Sequence, residues 1–270
     1  MLTLLLLALL VQDSAPSDTD AEAALRKFRE DCRNSAAEGR IAALRDVVKT
    51  RHERVARAVG EMLIVEADPV RIAAAAALGD LDHPASSEAL SDALRTNLRR
   101  DEVVRAILKT IGELGWQAPV GRLHDLLSTS DPAMGPVIPD IVSAIGQLRS
   151  LDSMDPLIHL LTKFDPNAIG RKIIWANEEP IVREIEVALR SISGQDFRKA
   201  ADWQQWWRAY RDALRSNADR CYWLTKTQSR VVVVKGDKVP ADAVLVWTRA
   251  PLGKPGSSPG TTTTRKKDGK

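Results

Sequence analysis

Aromatic side chains are scarce in this sequence: tryptophan, tyrosine and phenylalanine together supply 4% of 270 residues. Sheets favour aromatic and β-branched residues, whereas helices favour alanine and leucine. A sequence rich in the latter pair is therefore not that of a mainly β protein. Only two cysteines are present, Cys32 and Cys221, which excludes a disulfide-stapled scaffold. The net charge is small, at +3. Five Lys or Arg against one Asp from Leu252 onward give that tail +4 and leave −1 for residues 1–251. This balance does not support a strongly cationic groove that neutralises many phosphates, and no nucleic-acid partner is expected. No run approaches the roughly 20 apolar residues that span a bilayer, so no transmembrane segment is expected either.

Motifs that carry chemistry are missing as well. His52, His83, His124 and His159 stand apart, with no His-Glu-x-x-His and no Cys/His cluster at metal-ligand spacing. A Gly-x-Ser-x-Gly elbow, a phosphate-binding loop and a dinucleotide-binding glycine fingerprint are all absent. We expect no catalytic residues, no metal and no cofactor.

What is present is 44% hydrophobic and 28% charged residues, enough for a sizeable core. Leu2 to Val11 form an apolar run followed by polar and acidic residues. About ten apolar residues is the length of a signal-peptide core. Residues 1–20 are read as signal peptide and linker, with cleavage between Val11 and Ala15, and the protein as exported, periplasmic or extracellular.

Helical periodicity begins after this segment. Ala21 to Ala36 reads as a first helix with Leu25, Phe28 and Cys32 on one face, broken at Gly39. Ile41, Leu44, Val47 and Val48 mark a second helix, and Val55, Val59, Met62 and Leu63 a third. From Asp68 the pattern repeats. Val70, Ala74, Ala77, Leu78 and Leu81 recur 33 residues later as Val103, Ile107, Thr110, Ile111 and Leu114. They recur again after 34 residues as Val137, Ile141, Ala144, Ile145 and Leu148, and after a further 44 as Ile181, Ile185, Ala188, Leu189 and Ile192. A second helix keeps the same register: Leu90 and Leu94, then Leu123 and Leu127, then Leu157 and Leu161. Gly79, Gly112 and Gly146 also align, where a missing side chain lets a neighbouring helix approach and φ freedom helps end the helix. A helix pair at fixed period is the signature of a stacked repeat.

The stretch VRIAAAAALGDLDHPASSEALSDAL, with Asp68-Pro69 before it, resembles a HEAT repeat of the short bacterial, PBS-lyase-like type. The resemblance weakens outward over Arg40 to Leu214. It implies an all-α fold, an α-α superhelix (HEAT-like α-solenoid) of about five helix pairs over residues 21–216. It also implies a scaffold that binds protein partners. Arg71 is not repeated, since Val104 and Ile138 take its place, so an arginine ladder is not implied. Helix layers about 8–10 Å apart would hold Cys32 and Cys221 far beyond bridging distance, and two free thiols are expected.

The chain departs from this template in three places. The longer last period inserts residues between Lys163 and Glu179, with Trp175 beside Arg171 and Lys172. This is either a ligand-contact loop or a plug between the third and fourth units. Trp203, Trp206, Trp207, Tyr210 and Leu214 fall at i, i+3, i+4, i+7 and i+11, the stripe of a capping helix core. Residues 217–250 read as a small C-terminal β-hairpin extension with its turn around Gly236 to Asp242, and 251–270 as a disordered basic tail.

The functional expectation is an exported, non-enzymatic scaffold holding a protein or peptide partner on its second helices, with oligomeric state open. Candidate contact residues there are Ser91, Asp92, Arg95, Arg122, His124, Asp125, His159 and Lys163, with Trp175 in the inserted loop. Asp92 and Asp125 are aligned carboxylates on successive second helices. The alternatives are an enzyme resembling HEAT-like DNA glycosylases or bilin lyases, and a structural protein attached to the cell envelope through the basic tail.

Overall fold

The computed structural model describes residues 16–128, 132–164, 178–216, 221–224, 230–231, 238–239 and 243–247. The expected signal peptide, the insertion carrying Trp175 and the basic tail lie outside these residues. Eleven α-helices occur among the described residues. The chain divides into two compact units, Met1–Ala93 and Leu94–Lys270, with the division falling inside one helix.

The first unit contains α1 (Asp18–Cys32), α2 (Ala37–Val47), α3 (Glu53–Val65), α4 (Asp68–Leu81) and most of α5 (Pro84–Asn97). Helix α1 starts three residues before the expected Ala21. Ser17 accepts the Asp20 amide on its hydroxyl at 3.2 Å, while the Asp20 carboxylate accepts the Ser17 amide at 3.1 Å. This reciprocal cap satisfies amides that a helix start otherwise leaves unbonded. The chain turns at Asn34, with φ 59°, and not at Gly39, which lies inside α2. Helix α1 packs on α2 and α3, and α4 packs on both α2 and α3.

Arg71 ties the start of α4 to the end of α3. Only 7% exposed, it donates through Nη1 to the Leu63 carbonyl at 3.1 Å and through Nε to the Glu66 carbonyl at 2.5 Å. These are carbonyls that a helix end would otherwise leave unpaired. Arg40 Nη1 meets the Glu66 carboxylate at 2.5 Å beside it.

The second unit holds α6 (Asp101–Leu114), α7 (Val120–Ser128), α8 (Ile138–Leu148), α9 (Met154–Lys163), α10 (Glu178–Ser193) and α11 (Ala200–Ser216). Helix α8 packs against α6 on one side and α10 on the other, while α9 lies between α7 and α11. Alternate helices thus stack on one another, which is the arrangement of an α-solenoid.

Every one of the twenty recurring first-helix positions is buried, from Val70 at 1% to Ile192 at 0%. The paired leucines of the second helices are buried too. At the Arg71 position, Val104 and Ile138 are both 0% exposed, so the site is interior whether polar or not. Helix ends follow the same register. Asp82, Gly115 and Arg149, spaced by 33 and 34 residues, all terminate their helices in the left-handed region at φ 45°, 72° and 53°. Termination therefore falls on these residues and not on Gly112 or Gly146, which stay helical.

Those two glycines serve close approach instead. A Cβ on Gly146 would lie 2.8 Å from the Cβ and 2.9 Å from the Cα of Ala188 on α10. The Ser191 hydroxyl also donates to the Gly146 carbonyl at 3.1 Å. On Gly112 the nearest atoms belong to the Gln147 side chain, at 2.5 Å.

The tryptophan helix is core. Trp203, Trp206 and Trp207 are 0–3% exposed. Trp203 meets Phe197 edge-on at 4.9 Å between centroids, and its indole donates to the Phe197 carbonyl at 3.1 Å. Trp207 donates to Asp155 of α9 at 2.5 Å.

Beyond α11, three short strands, β1 (Cys221–Leu224), β2 (Arg230–Val231) and β3 (Val244–Trp247), form an antiparallel sheet in the order β2-β1-β3. The turn around Gly236 to Asp242 therefore does not join paired strands. β3 crosses to the far side of β1, pairing Cys221 with Trp247 and Leu224 with Val244.

Gly146→Ala is expected to lower stability by about 1–3 kcal/mol, the usual cost of forcing atoms into a packed interior. Gly112→Ala changes it little, because Gln147 can swing aside and alanine is the better helix former. Urea unfolding of both variants checks this. Equal effects would show that backbone approach at Gly146 is not what holds α8 to α10.

Candidate functional site

The second helices of the second unit present polar side chains to solvent beside their buried leucines. On α7, Arg122 and Asp125 are exposed while Leu123, Leu126 and Leu127 are buried. On α9, His159 is exposed and Lys163 half-exposed, with Leu157, Leu160 and Leu161 buried. Because α7 packs against α9, these four belong to one pair of adjoining helices. On α5, Asp92 and Arg95 are exposed. Trp175 lies outside the described residues.

Two of the expected contact residues make contacts within the fold. Ser91 is 2% exposed and donates its hydroxyl to the Glu88 carbonyl at 2.9 Å. With Ser87 and Leu94 it forms an i, i+4, i+7 stripe on the buried side of α5, which its polar character hid. His124 is half-buried, and its Nε2 shares a 2.8 Å hydrogen bond with Ser153 Oγ, just before α9. It links α7 to the residue preceding α9. Burial holds its pKa below the ordinary histidine value of 6.5, against the opposing pull of Asp152 and Asp125.

Sequence reasoning missed a cavity of about 620 Å³ in this unit, assembled from four separated segments. Its walls include Gly115, Gln147 and Arg149 at the ends of α6 and α8, Ser191 of α10, and Lys238 and Val239. The Lys238 ammonium sits 5.1 Å from the centroid of the Trp116 ring, a cation–π contact. Arg149 donates to the Ala243 carbonyl. Val239 and Ala243 are buried with Leu245 packed on them. The C-terminal extension is thereby pinned over the ends of α6 and α8.

Cys32 carries a free thiol, pushed up in pKa by burial and eased back by Arg40. Among the described residues no group of His, Cys, Asp and Glu could hold a metal ion, and no helix is long and apolar enough to cross a membrane.

Residues 70–96, which run from the first turn of α4 to the last turn of α5, match the family model of the PBS lyase HEAT-like repeat. The chain carries a HEAT-like repeat there. No curated protein matches it. The HEAT helix pair accounts for the buried stripes and leaves the outer side chains of its second helices in solvent.

The lowered pKa of His124 has a definite sign. The unfolded chain binds the proton more readily than the folded one, so stability is fully present above the unfolded value and falls as pH drops through the folded one. His124→Gln is expected to show a smaller loss of stability between about pH 7.5 and about pH 5.5. Chemical unfolding at both pH values checks this, and identical pH slopes would remove His124 from the account.

Proposed function

We propose that this HEAT-repeat protein is an exported scaffold that binds a protein or peptide through the exposed face of its second helices, without catalysis. The observation that carries the reading is the division of labour on α7 and α9. Their leucines are committed to stacking, and Arg122, Asp125 and His159 are left in solvent. Exposed side chains on rigid, stacked helices are held in place by the layers beneath them, so recognition needs little ordering on binding. The mixed signs on this surface favour specificity for a partner of patterned charge over adhesion to a uniformly charged polymer.

Export rests on the apolar run from Leu2 to Val11 and the polar, acidic stretch after it. Cell fractionation with N-terminal sequencing is expected to place the protein outside the cytoplasm, beginning at one of residues 12–15. A cytoplasmic protein that retains Met1 would contradict this part.

Affinity capture with the intact protein, compared with an Arg122→Glu/His159→Glu variant, tests the binding. A partner retained by the parent and lost by about tenfold or more in the variant, at unchanged thermal stability, is the expected outcome. Equal capture by both proteins would place recognition elsewhere.

A further inference from the structure

The first unit holds a groove of about 520 Å³ between α1 and α3, remote in sequence from the surface just described. Its floor is apolar: Leu25 and Phe28 of α1 face Met62 of α3. Its rim is cationic, with Arg29 of α1, Arg33 just past its end, and Arg54 and Arg57 from α3, against the single carboxylate of Glu61. Like charges three or four residues apart on a helix repel each other, and here each helix brings such a pair to one cleft. Arg57 is partly neutralised by Glu53 at 3.1 Å. Arg29, Arg33 and Arg54 join no ion pair among the described residues.

Helix electrostatics do not explain this arrangement. Arg29 lies in the last turn of α1, where a cation is favoured, but Arg54 lies in the first turn of α3, where the exposed amides repel it. The apolar lining also runs past the arginines. Ala58, Met62 and Val65 are spaced i, i+4, i+7 along α3, and Val65 is 73% exposed with Ile64 beside it at 43%. Leu25, Phe28 and Met62 are 4–8% exposed, so the groove is a shallow apolar base beneath unpaired guanidinium groups that continues toward exposed Val65, complementary to a ligand that carries both apolar groups and carboxylates.

We propose that the α1–α3 groove docks an acidic amphipathic peptide segment of a partner protein. Its apolar side chains lie over the shallow apolar base toward Val65, and its carboxylates pair with Arg29, Arg33 and Arg54. A guanidinium fork donates two parallel hydrogen bonds to a carboxylate, which suits short acidic side chains. A phosphate-rich polymer or an anionic lipid headgroup would engage the rim and leave the apolar floor wet. The uncharged apolar run Leu2–Val11 would cover the floor and leave the arginines unpaired. This proposal rests on the scaffold reading and names the chemistry of one partner element.

The probe is a fluorescein-labelled amphipathic peptide of about 16 residues, long enough for helix formation, with leucines on one face and glutamates on the other. Fluorescence anisotropy with the full chain compares it with a glutamine-for-glutamate version and with anionic lipid vesicles. The expected result is saturable binding that weakens with salt and drops about tenfold or more for the glutamine peptide and for Arg33→Glu/Arg54→Glu. Cys32 lines the groove, so maleimide labelling at Cys32, followed by mass spectrometry, is expected to slow when the peptide is bound. Equal affinity for both peptides, unchanged binding by the double variant, or preference for the vesicles would each overturn the proposal. If the partner captured through Arg122 and His159 binds the Arg33→Glu/Arg54→Glu protein normally, this inference fails and the scaffold reading stands. Failure of that capture as well would defeat both.

Discussion

A pair of short helices cannot bury its own apolar face, and the rest of this fold follows from that constraint. Burying a leucine or isoleucine side chain is worth about 1.5–3 kcal/mol. A single helix pair has no partner surface on which to realise it. Each first helix here therefore carries an apolar stripe that is completed only by a neighbour, as Ile141 and Ile145 of α8 are completed by α6 and α10. Stability is shared between layers, and the exposed side chains of the second helices lie outside the stacked apolar stripes.

Close stacking then imposes finer demands that recur at the same period. The backbone of α10 reaches α8 at Gly146, where any side chain would collide with Ala188. Each of α4, α6 and α8 ends on a residue of positive φ, and only at Gly115 is that residue a glycine. Asp82 and Arg149 adopt the left-handed conformation at a steric cost. At Arg149 the side chain is used as well, holding the C-terminal extension through the Ala243 carbonyl. Polar groups are placed where helix ends need them: Arg71 serves the last carbonyls of α3, and His124 joins α7 to the residue preceding α9.

The repeat itself was legible from the sequence because its signal is a set of like residues at a fixed offset. All twenty first-helix positions picked by that offset proved to be interior. What failed to show was whatever depends on polar residues in apolar settings or on residues far apart in the chain. Ser91 reads as surface because it is polar, yet it lies on the buried side with Ser87 and Leu94. The Ser-x-x-Asp cap at Ser17 was present in the sequence and was absorbed into a supposed linker. The sheet order could not be read either, because nothing in three short apolar runs says which two flank the third. The arginine rim stayed hidden for a similar reason. Arg29 and Arg33 meet Arg54 and Arg57 only because α1 packs on α3, skipping the helix between them in sequence.

The claim beneath all of this is that one period is one interchangeable layer. The most direct test excises residues 103–136, one whole period, so that Glu102 is followed by Val137, and compares the product with one lacking residues 103–119, half a period. Circular dichroism during thermal unfolding is predicted to show a helical protein with a single cooperative transition after the whole-period excision, and loss of that transition after the half-period excision. Loss of cooperative unfolding in both would contradict the account.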